Sequence, residues 1–484
     1  MHVEAAGRED DRGPRQTGLG VAPRWLWLSA LVIWAVGTAC FAFVFHLSDG
    51  FLFRHDGTGY FLYAHSLVTD FDSEVTDDYR ALNAFVPEGS PAMSGLRTRR
   101  EPDPRHVDLP WPMGSGLVMA PFYAVGLVLE HAVAAIGGRE PQPFGILPQY
   151  FFGLGSLAYG WLGLWATFLC CRRITGVRSA GAATLAALLG GPVVFYTFFH
   201  PSMAHASSFG LVALFIWLWW RRWAGEPVKI VWLGLLIGLL VTVRYQNAIF
   251  GLLLATLLLY EAYRKTLPVA IRSGVVASLA FLAPVSLQVA HLAMVQDEAA
   301  TRQHWQTEDL TLGRNLMDPS SPFFFATLFS CRHGAIYWAP LIGVGLLGLF
   351  AAGRGAGWAR LFVLVFVANV YLVGCLRGPP ELMTSLDAPP SLEETNWSGG
   401  HAFGMRYFTE CAPLVAVGLA ALLGRFRTGV GRRVLAMVVS LGVLWNGLLL
   451  LAYGMGTIDR VGCVTHTEMA RGALTAVQRL AGGG

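Results

Sequence analysis

The sequence predicts an all-α polytopic membrane protein with about 11 transmembrane helices. Of its 484 residues, 54% are hydrophobic and only 14% are charged. Apolar runs of about 20 residues recur along the chain, and each is long enough to cross ~30 Å of hydrocarbon. The net charge of +4 comes mainly from arginines beside these runs, so it does not indicate nucleic-acid binding.

The chain divides into a short tail, one membrane domain and a second tail. Residues 1–23 are polar and carry several arginines, which predicts a disordered cytoplasmic segment. The run that follows lacks a convincing small-residue cleavage site and is long enough to span, so we interpret it as a membrane helix. Residues 24–454 then form a single transmembrane domain, and residues 455–484 form a C-terminal tail on the outer side.

Basic clusters set the predicted orientation. The positive-inside rule places in the cytoplasm the clusters at 172–178, 221–229, 264–272, 354–360 and 425–433. The alternate connections, including 295–333 and 377–408, then face outward. The candidate spans are 25–46, 149–170, 179–199, 204–220, 229–244, 247–263, 268–293, 334–352, 359–376, 409–424 and 434–454.

Residues 113–136 break this alternation. The segment is apolar enough to cross, but a crossing would move Arg172 and every later basic cluster to the outside. It also contains Glu130 and begins among prolines. We therefore predict an interfacial or half-inserted helix on the outer face, within a first outer loop that covers residues 47–148.

The stretch Phe53–Tyr79 in that loop is the candidate catalytic segment. Six acidic residues are interleaved there with six aromatics, which suits the handling of a polar substrate carried on a lipid. Gly57 and Gly59, just after Asp56, predict a tight turn, and the spacing of apolar residues from Tyr60 to Leu67 predicts a short surface helix. The alternative is a solvated loop that only links two helices.

Four further polar motifs fall on the predicted outer face. They lie at His200–His205, Arg244–Asn247, Arg332–Gly334 and Trp397–Tyr407. Three arginines at one membrane depth, Arg244, Arg332 and Arg406, could hold a lipid phosphate through paired, charge-assisted hydrogen bonds. The alternative is that these arginines anchor helix ends or bind lipid headgroups.

Seven cysteines are scattered through the chain without a CxxC motif or a Cys/His cluster. Most lie in apolar runs, where cysteine usually serves as a small packing residue. We therefore predict no structural metal and no obligatory disulfide.

The motifs resemble those of the GT-C superfamily of membrane glycosyltransferases, in a bacterial form similar to protein O-mannosyltransferases and the aminoarabinose transferases of lipid A. They cover most of residues 25–424 and read HDGTGYFLYAHSLVTDFD with TDDY, FYTFFHPSMAHA, VRYQNAIF, LFSCRHGAIYWAP and WSGGHAFGMRYF. The resemblance implies a GT-C-like fold in which an acid of the first outer loop is the base and interfacial helices follow it. Here Asp56 is followed by a glycine where the mannosyltransferases commonly have a second acid, so that acid would be Asp77 or Asp78.

Topology and resemblance together predict a transferase of the bacterial inner membrane whose site faces outward. Nucleotide sugars are cytoplasmic, so the donor would be a polyprenyl-phosphate sugar, and the acceptor an extracytoplasmic glycan, lipid or protein. A hexosyl or pentosyl group would be transferred with inversion, Asp56 would take the acceptor's proton, and the arginines would neutralise the departing phosphate. The candidate catalytic residues are Asp56, Asp77 and Asp78; the candidate substrate-binding residues are Tyr60, His205, Arg244, Asn247, Arg332, His333, Trp397, Arg406 and Tyr407.

The predicted reaction requires no cofactor. Asp56, Asp78, His205 and His333 are residue types that could ligate a divalent metal ion, although their spacing does not demand one.

The alternative function is a flippase or transporter of lipid-linked sugars without transferase activity. Such proteins place ionisable residues near mid-membrane and often show two related halves. In this sequence the apolar runs are almost free of charge and show no internal repeat, so a transferase is favoured. A pure scaffold is disfavoured by the number of polar outer motifs.

Overall fold

The structure is a computed structural model. It describes residues 28, 31–32, 34–40, 51–54, 56–87, 90, 109, 111–264, 266–295, 317–352, 356–376 and 396–482. The predicted N-terminal tail, residues 296–316 of the connection 295–333 and residues 377–395 of the connection 377–408 lie outside the described residues.

In the described part of the chain the regular structure is helical, and the strand-like pairing there is one isolated bridge between Met317 and Leu376. After the helical residues 34–40, the helices are α1 (Asp56–Thr69), α2 (Thr76–Phe85), α3 (Gly114–Gly137), α4 (Ile146–Arg172), α5 (Val177–Leu189), α6 (Ala204–Trp223), α7 (Ile230–Val243), α8 (Gly251–Arg264), α9 (Leu267–Val295), α10 (Phe324–Phe329), α11 (Ala335–Trp338), α12 (Pro340–Ala352), α13 (Gly357–Gly374), α14 (Ala412–Arg425), α15 (Gly429–Gly454) and α16 (His466–Ala481).

Several of these helices have the length and composition of membrane spans. Among the described residues six qualify, namely α3, α4, α9, α13, α15 and the segment Arg406–Arg425 that contains α14. Three shorter apolar helices, α5, α7 and α12, accompany them. The chain is therefore a multi-pass membrane protein, and most predicted spans coincide with a helix to within a few residues.

The helix bundle has a basic end and an end that carries the polar motifs. Arg173, just after α4, pairs with Glu226 at 2.6 Å, and Arg222 in the last turn of α6 pairs with Glu261 of α8 at 2.7 Å. His205 lies at the opposite end of α6, and Arg244 directly follows α7. This separation is the one that the alternation of basic clusters predicts.

Helix α3 contacts the neighbouring helices at the motif end of the bundle. Its first residue, Gly114, lies against Thr242 near the end of α7, and a Cβ at Gly126 would come within 2.8 Å of Pro148 in the first turn of α4. A Cβ at Gly155 would meet Met119 at 2.8 Å, so α3 and α4 are antiparallel over the first half of α4 only. Because α3 is also long and apolar enough to cross a bilayer, its interfacial placement stays a prediction.

A cluster of aromatic rings holds α1 against α3 and α4 at the motif end of the bundle. The ring of Phe53 lies 5.0 Å from that of Phe61 and 5.2 Å from that of Phe152 in α4, and Phe61 contacts Tyr123 of α3 at 5.2 Å between centroids. Phe53 and Phe61 are fully buried. Burial of several large rings supplies apolar area and restricts orientation, so α1 is held firmly against α3 and α4.

The C-terminal segment is more ordered than a tail. Thr465 and Glu468 form a reciprocal cap at the start of α16, which packs on the end of α15 through buried Met469 and Ala473. Cys463 forms a disulfide with Cys331, 132 residues earlier in the chain. The structure contradicts the prediction of no obligatory disulfide, because both cysteines of this pair lie in polar connections outside the apolar runs.

Candidate active site

Asp56 is the first residue of α1 and forms an ion pair with Arg406. The Asp56 Oδ2 atom lies 3.2 Å from Arg406 Nη1, and the two side chains are 20% and 17% exposed. The start of a helix favours a negative charge, because the unpaired backbone N–H groups there carry partial positive charge. Two residues separated by 350 positions thus meet at the motif end of the bundle.

The two glycines after Asp56 lie inside α1 and do not form the predicted tight turn. A Cβ at Gly57 would collide with Ser202 of the His200–His205 motif, and a Cβ at Gly59 would come within 2.7 Å of the Trp111 ring. The glycines therefore permit close packing on both sides of the helix. That packing brings Asp56 beside the connection between α5 and α6.

Arg406 is enclosed by its own preceding loop. Gly399 adopts a φ of 82°, and its backbone lies so close to the arginine that a Cβ there would be 3.1 Å from Cγ and Nε. A residue with a side chain would be strained at that φ and would also press on the guanidinium. The buried Nε of Arg406 has no hydrogen-bond partner among the described groups.

Arg244 lies in a second charged cluster with His205 and Glu410. Its Nη1 atom is 2.8 Å from His205 Nε2 and also contacts Nδ1 of the same ring. Glu410 Oε1 lies 3.5 Å from Arg244 Nε and 3.4 Å from His205 Nδ1, and both acid and imidazole are 1% exposed. Burying these groups is tolerable because the carboxylate offsets the guanidinium charge.

Tyr407 joins the two clusters. The guanidinium carbons of Arg244 and Arg406 lie 5.5 Å and 5.3 Å from the centroid of its ring, within the range of a cation–π contact. Tyr407 is 8% exposed. Its ring therefore contacts both arginines and offers little free surface for the predicted stacking on a sugar.

Tyr60 lies one turn along α1 from Asp56 and is buried. Burial raises the pKa of its phenol, the Asp56 charge raises it further, and the charges of Arg244 and Arg406 oppose the rise. Asp56, Tyr60, His205, Arg244, Arg406 and Tyr407 are thus the predicted site residues that the structure brings together.

The two candidates for a second acid lie elsewhere. Asp78 is 4% exposed, and its Oδ1 lies 3.1 Å from Nε2 of His65, whose Nδ1 is 2.5 Å from the Tyr123 hydroxyl. Burial raises the pKa of Asp78, and the hydrogen bond to His65 acts against the rise. Asp77 is exposed, and its Oδ1 accepts a hydrogen bond from the Asp78 backbone at 3.2 Å. The contacts that the structure gives these two acids therefore do not include Asp56 or Arg406.

Asn247 has a packing role in the structure. Its amide donates to Ser208 Oγ at 2.8 Å and to the Leu240 carbonyl at 2.9 Å, and the residue is 1% exposed. These bonds tie α6 to the end of α7.

Arg332, His333 and Trp397 form a neighbouring group tied to the C-terminal segment. Arg332 donates from Nε to the Val461 carbonyl at 2.9 Å, next to the Cys331–Cys463 disulfide. His333 is fully buried at a φ of 65° and donates from Nδ1 to the Ser398 carbonyl at 3.1 Å. Burial lowers the pKa of His333 to about 4, and the Ser398 carbonyl acts against that shift. Trp397 is also fully buried, so it presents no surface to a ligand in this conformation.

No group of three metal-ligating side chains occurs within the residues that the structure describes. The four residues considered as metal ligands each have a different partner. These pairs are Asp56 with Arg406, Asp78 with His65, His205 with Glu410, and His333 with the Ser398 carbonyl.

Sequence reasoning missed Glu410 and Gln246. Glu410 stands in an otherwise apolar stretch three residues after Tyr407, and a lone acid at the start of a predicted span is a signal that could have identified it. Gln246 belongs to the Arg244–Asn247 motif, where an uncharged amide beside an arginine gives no separate signal.

The helical architecture, with a long acidic first loop whose helices pack against the bundle, is shared with solved structures of another protein. The structure is similar to ArnT from Cupriavidus metallidurans in the apo state, with a TM-score of 0.50 and 15% identity over 95% of this chain and 71% of that chain. It is similar to the same protein bound to undecaprenyl phosphate, with a TM-score of 0.50 and 14% identity over the same shares.

The archaeal oligosaccharyltransferase AglB from Archaeoglobus fulgidus matches with a TM-score of 0.42 and 11% identity over 94% of this chain and 54% of that chain. No family model matches the sequence, and no curated protein sequence matches it. At these identities the similarity concerns the fold.

Proposed function

We propose that this protein transfers a sugar from a polyprenyl-phosphate-linked donor to an extracytoplasmic acceptor. The observation that carries the proposal is the Asp56–Arg406 pair, 3.2 Å apart, at the motif end of a GT-C-like bundle. The guanidinium of Arg244 contacts the same Tyr407 ring as that of Arg406. A general base and two guanidiniums are the groups that transfer from a lipid phosphate requires.

The donor class follows from the face on which the site lies. The polar motifs are at the end of the bundle opposite the basic clusters, and the positive-inside rule assigns the basic end to the cytoplasm. Nucleotide sugars do not reach the outer face, so a lipid-linked sugar is the donor that fits. The fold shared with a protein whose structure contains undecaprenyl phosphate supports the same class.

The proposed reaction is a single displacement. The acceptor hydroxyl or amine attacks the anomeric carbon as the bond between that carbon and the phosphate oxygen breaks, so the configuration inverts. Asp56 accepts the proton from the acceptor, and the lipid phosphate leaves with the bonding electron pair. Arg406 and Arg244 offset the negative charge that develops on the departing phosphate.

Replacing Asp56 by asparagine tests the proposal directly. Asparagine keeps the size and one acceptor oxygen but cannot accept a proton near neutral pH, so transfer should fall ~100- to 10,000-fold. The readout is mass analysis of lipid-linked sugars in a deletion strain that carries wild-type or variant protein at matched expression. Polyprenyl-phosphate sugar should accumulate without the protein, disappear with the wild type, and persist with Asp56→Asn.

Asp70→Asn is the matched control, since Asp70 is exposed at the other end of α1. It should clear the lipid-linked sugar as the wild type does. Clearance by Asp56→Asn at the wild-type rate would remove Asp56 as the base. Accumulation confined to the cytoplasmic leaflet in the deletion strain would instead favour the flippase alternative.

A further inference from the structure

Two arginines of the candidate site contact one aromatic ring. The guanidinium carbons of Arg244 and Arg406 lie 5.5 Å and 5.3 Å from the centroid of the Tyr407 ring. Two like charges that share one ring repel each other unless other groups hold them in place. The spacing between the guanidiniums decides whether one phosphate can contact both.

Gln246 makes the directional contacts that fix this spacing. Its Oε1 accepts a hydrogen bond from Arg244 Nη2 at 2.9 Å, and its Nε2 donates to the Tyr407 carbonyl at 3.2 Å. The same Nε2 lies 3.4 Å from Glu410 Oε2. One amide therefore links the segment after α7 to the segment Arg406–Cys411 before α14.

Glu410 balances the charge of Arg244 but does little to orient its guanidinium. Its closer oxygen is 3.5 Å from Arg244 Nε, longer than a good charge-assisted hydrogen bond, and that oxygen has no hydrogen-bond partner among the described groups. The hydrogen bond that Arg244 Nη2 donates to Gln246 is shorter than the Glu410 contact, while the His205 ring contacts the other terminal nitrogen, Nη1. The amide therefore orients the Nη2 side of the guanidinium.

We propose that Gln246 is a positioning residue that holds Arg244 at the separation from Arg406 at which a single lipid phosphate contacts both guanidiniums. This inference rests on the proposed function, because it assigns the two arginines to the donor phosphate. Gln246 itself need not touch the substrate.

The test compares binding of two lipids to the full-length protein in nanodiscs by native mass spectrometry. The probes are undecaprenyl phosphate and undecaprenol, which differ only in the phosphate. Gln246→Ala should weaken undecaprenyl phosphate binding about tenfold, because a hydrogen bond to a charged group is lost, and should leave undecaprenol binding unchanged. Gln246→Met, which keeps the side-chain volume, should give the same result and guards against misfolding of the alanine variant.

A double-mutant cycle separates positioning from a structural role. In the Arg244→Ala background, Gln246→Ala should cause no further loss, because its effect passes through Arg244. Asn369→Ala is the matched control: Asn369 donates to the same Tyr407 carbonyl at 3.1 Å, and the contacts that the structure gives its side chain include neither guanidinium. It should change binding by less than about twofold.

Phosphate-selective binding by the wild type together with unchanged binding by Gln246→Ala would overturn this inference alone. An equal loss from Gln246→Ala in the presence and absence of Arg244 would also overturn it. Equal binding of undecaprenyl phosphate and undecaprenol by the wild type would overturn the proposed donor class and this inference with it.

Discussion

Each of the two arginines near Tyr407 lies beside an acidic side chain. Arg406 pairs with Asp56, and Arg244 lies beside Glu410. A buried charge is costly at a membrane face unless it is paired, so this arrangement lets two guanidiniums remain in the site before any donor arrives. A donor phosphate that contacts Arg406 would compete with Asp56 for the guanidinium, and the carboxylate would then be available to the acceptor.

His333 should make the protein less stable in acid. Its pKa is lowered from 6.5 to about 4 by burial. The folded state therefore favours the neutral imidazole. The contribution of His333 to the stability of the fold is complete above pH 6.5 and is lost as the pH falls toward 4. From these two pKa values, acidification should lower the free energy of unfolding by about 3 kcal/mol.

The His333→Asn variant isolates this effect. Asparagine tolerates the φ of 65° at this position and does not titrate. The melting temperature in detergent, measured from pH 7 to pH 4.5, should fall less steeply in the variant than in the wild type. His131→Asn, at an exposed position of α3, should keep the wild-type slope. If the melting temperatures of the wild type and His333→Asn fall equally with pH, His333 is not the source of the acid destabilisation.

The residues of the site were predictable only where their chemistry differs from that of a packing residue. Asp56, Arg244 and Arg406 are charges on the face predicted to be non-cytoplasmic, where charges are scarce, and the structure brings them together. Asn247 carries equally polar atoms but uses them to join α6 to α7. A sequence pattern does not distinguish these two uses of a polar side chain, because both occur at the ends of apolar runs.

At the scale of elements, the helices depart from regular geometry at the motifs. Residues Phe195–Phe199 form a π-helical turn, and Tyr245–Phe250 and Arg406–Cys411 form 3-10 turns. Each lies at or directly beside a polar motif, as is common for functional sites. Apolar run lengths predicted the spans well, but hydropathy does not resolve these turns because they consist mostly of the same apolar residue types.

The contact between α1 and Ser202 should be sensitive to one methyl group. A Cβ at Gly57 would overlap the Ser202 side chain, whereas the nearest Ser202 backbone atom would be 3.5 Å away. Gly57→Ala should therefore displace Asp56 and lower both transfer and melting temperature, at a cost of about 1–3 kcal/mol for overpacking.

Removing the opposing side chain should reverse the effect. The double variant Gly57→Ala with Ser202→Gly should recover transfer, because the colliding atoms are absent. Gly181→Ala in α5 is the control, since no atom outside its own helix lies within 4 Å of a Cβ there. A single Gly57→Ala variant with wild-type transfer would show that the close approach is not needed for the site.

For the molecule as a whole, the polar motifs, helix α1 and the Cys331–Cys463 disulfide all lie away from the basic clusters. Disulfides persist in oxidising compartments, so the disulfide agrees with an outward placement of this end. The sequence predicted this polarity from charge alone. It did not predict the disulfide, because a pairing between cysteines 132 residues apart depends on the folded arrangement of two loops.

Labelling of single introduced cysteines should establish the orientation and the placement of α3. Asp70, Glu140 and Arg427 are all exposed, and they lie in the first outer loop, in the α3–α4 connection and at the basic end before α15. A membrane-impermeant maleimide applied to intact spheroplasts should label Asp70→Cys and Glu140→Cys, while Arg427→Cys should react only after permeabilisation. Glu140 is the deciding position: an α3 that crossed the bilayer would carry it to the cytoplasm, whereas an interfacial α3 keeps it on the face that holds Asp56. Protection of Asp70→Cys in intact spheroplasts would place Asp56 in the cytoplasm and would end the case for a lipid-linked donor.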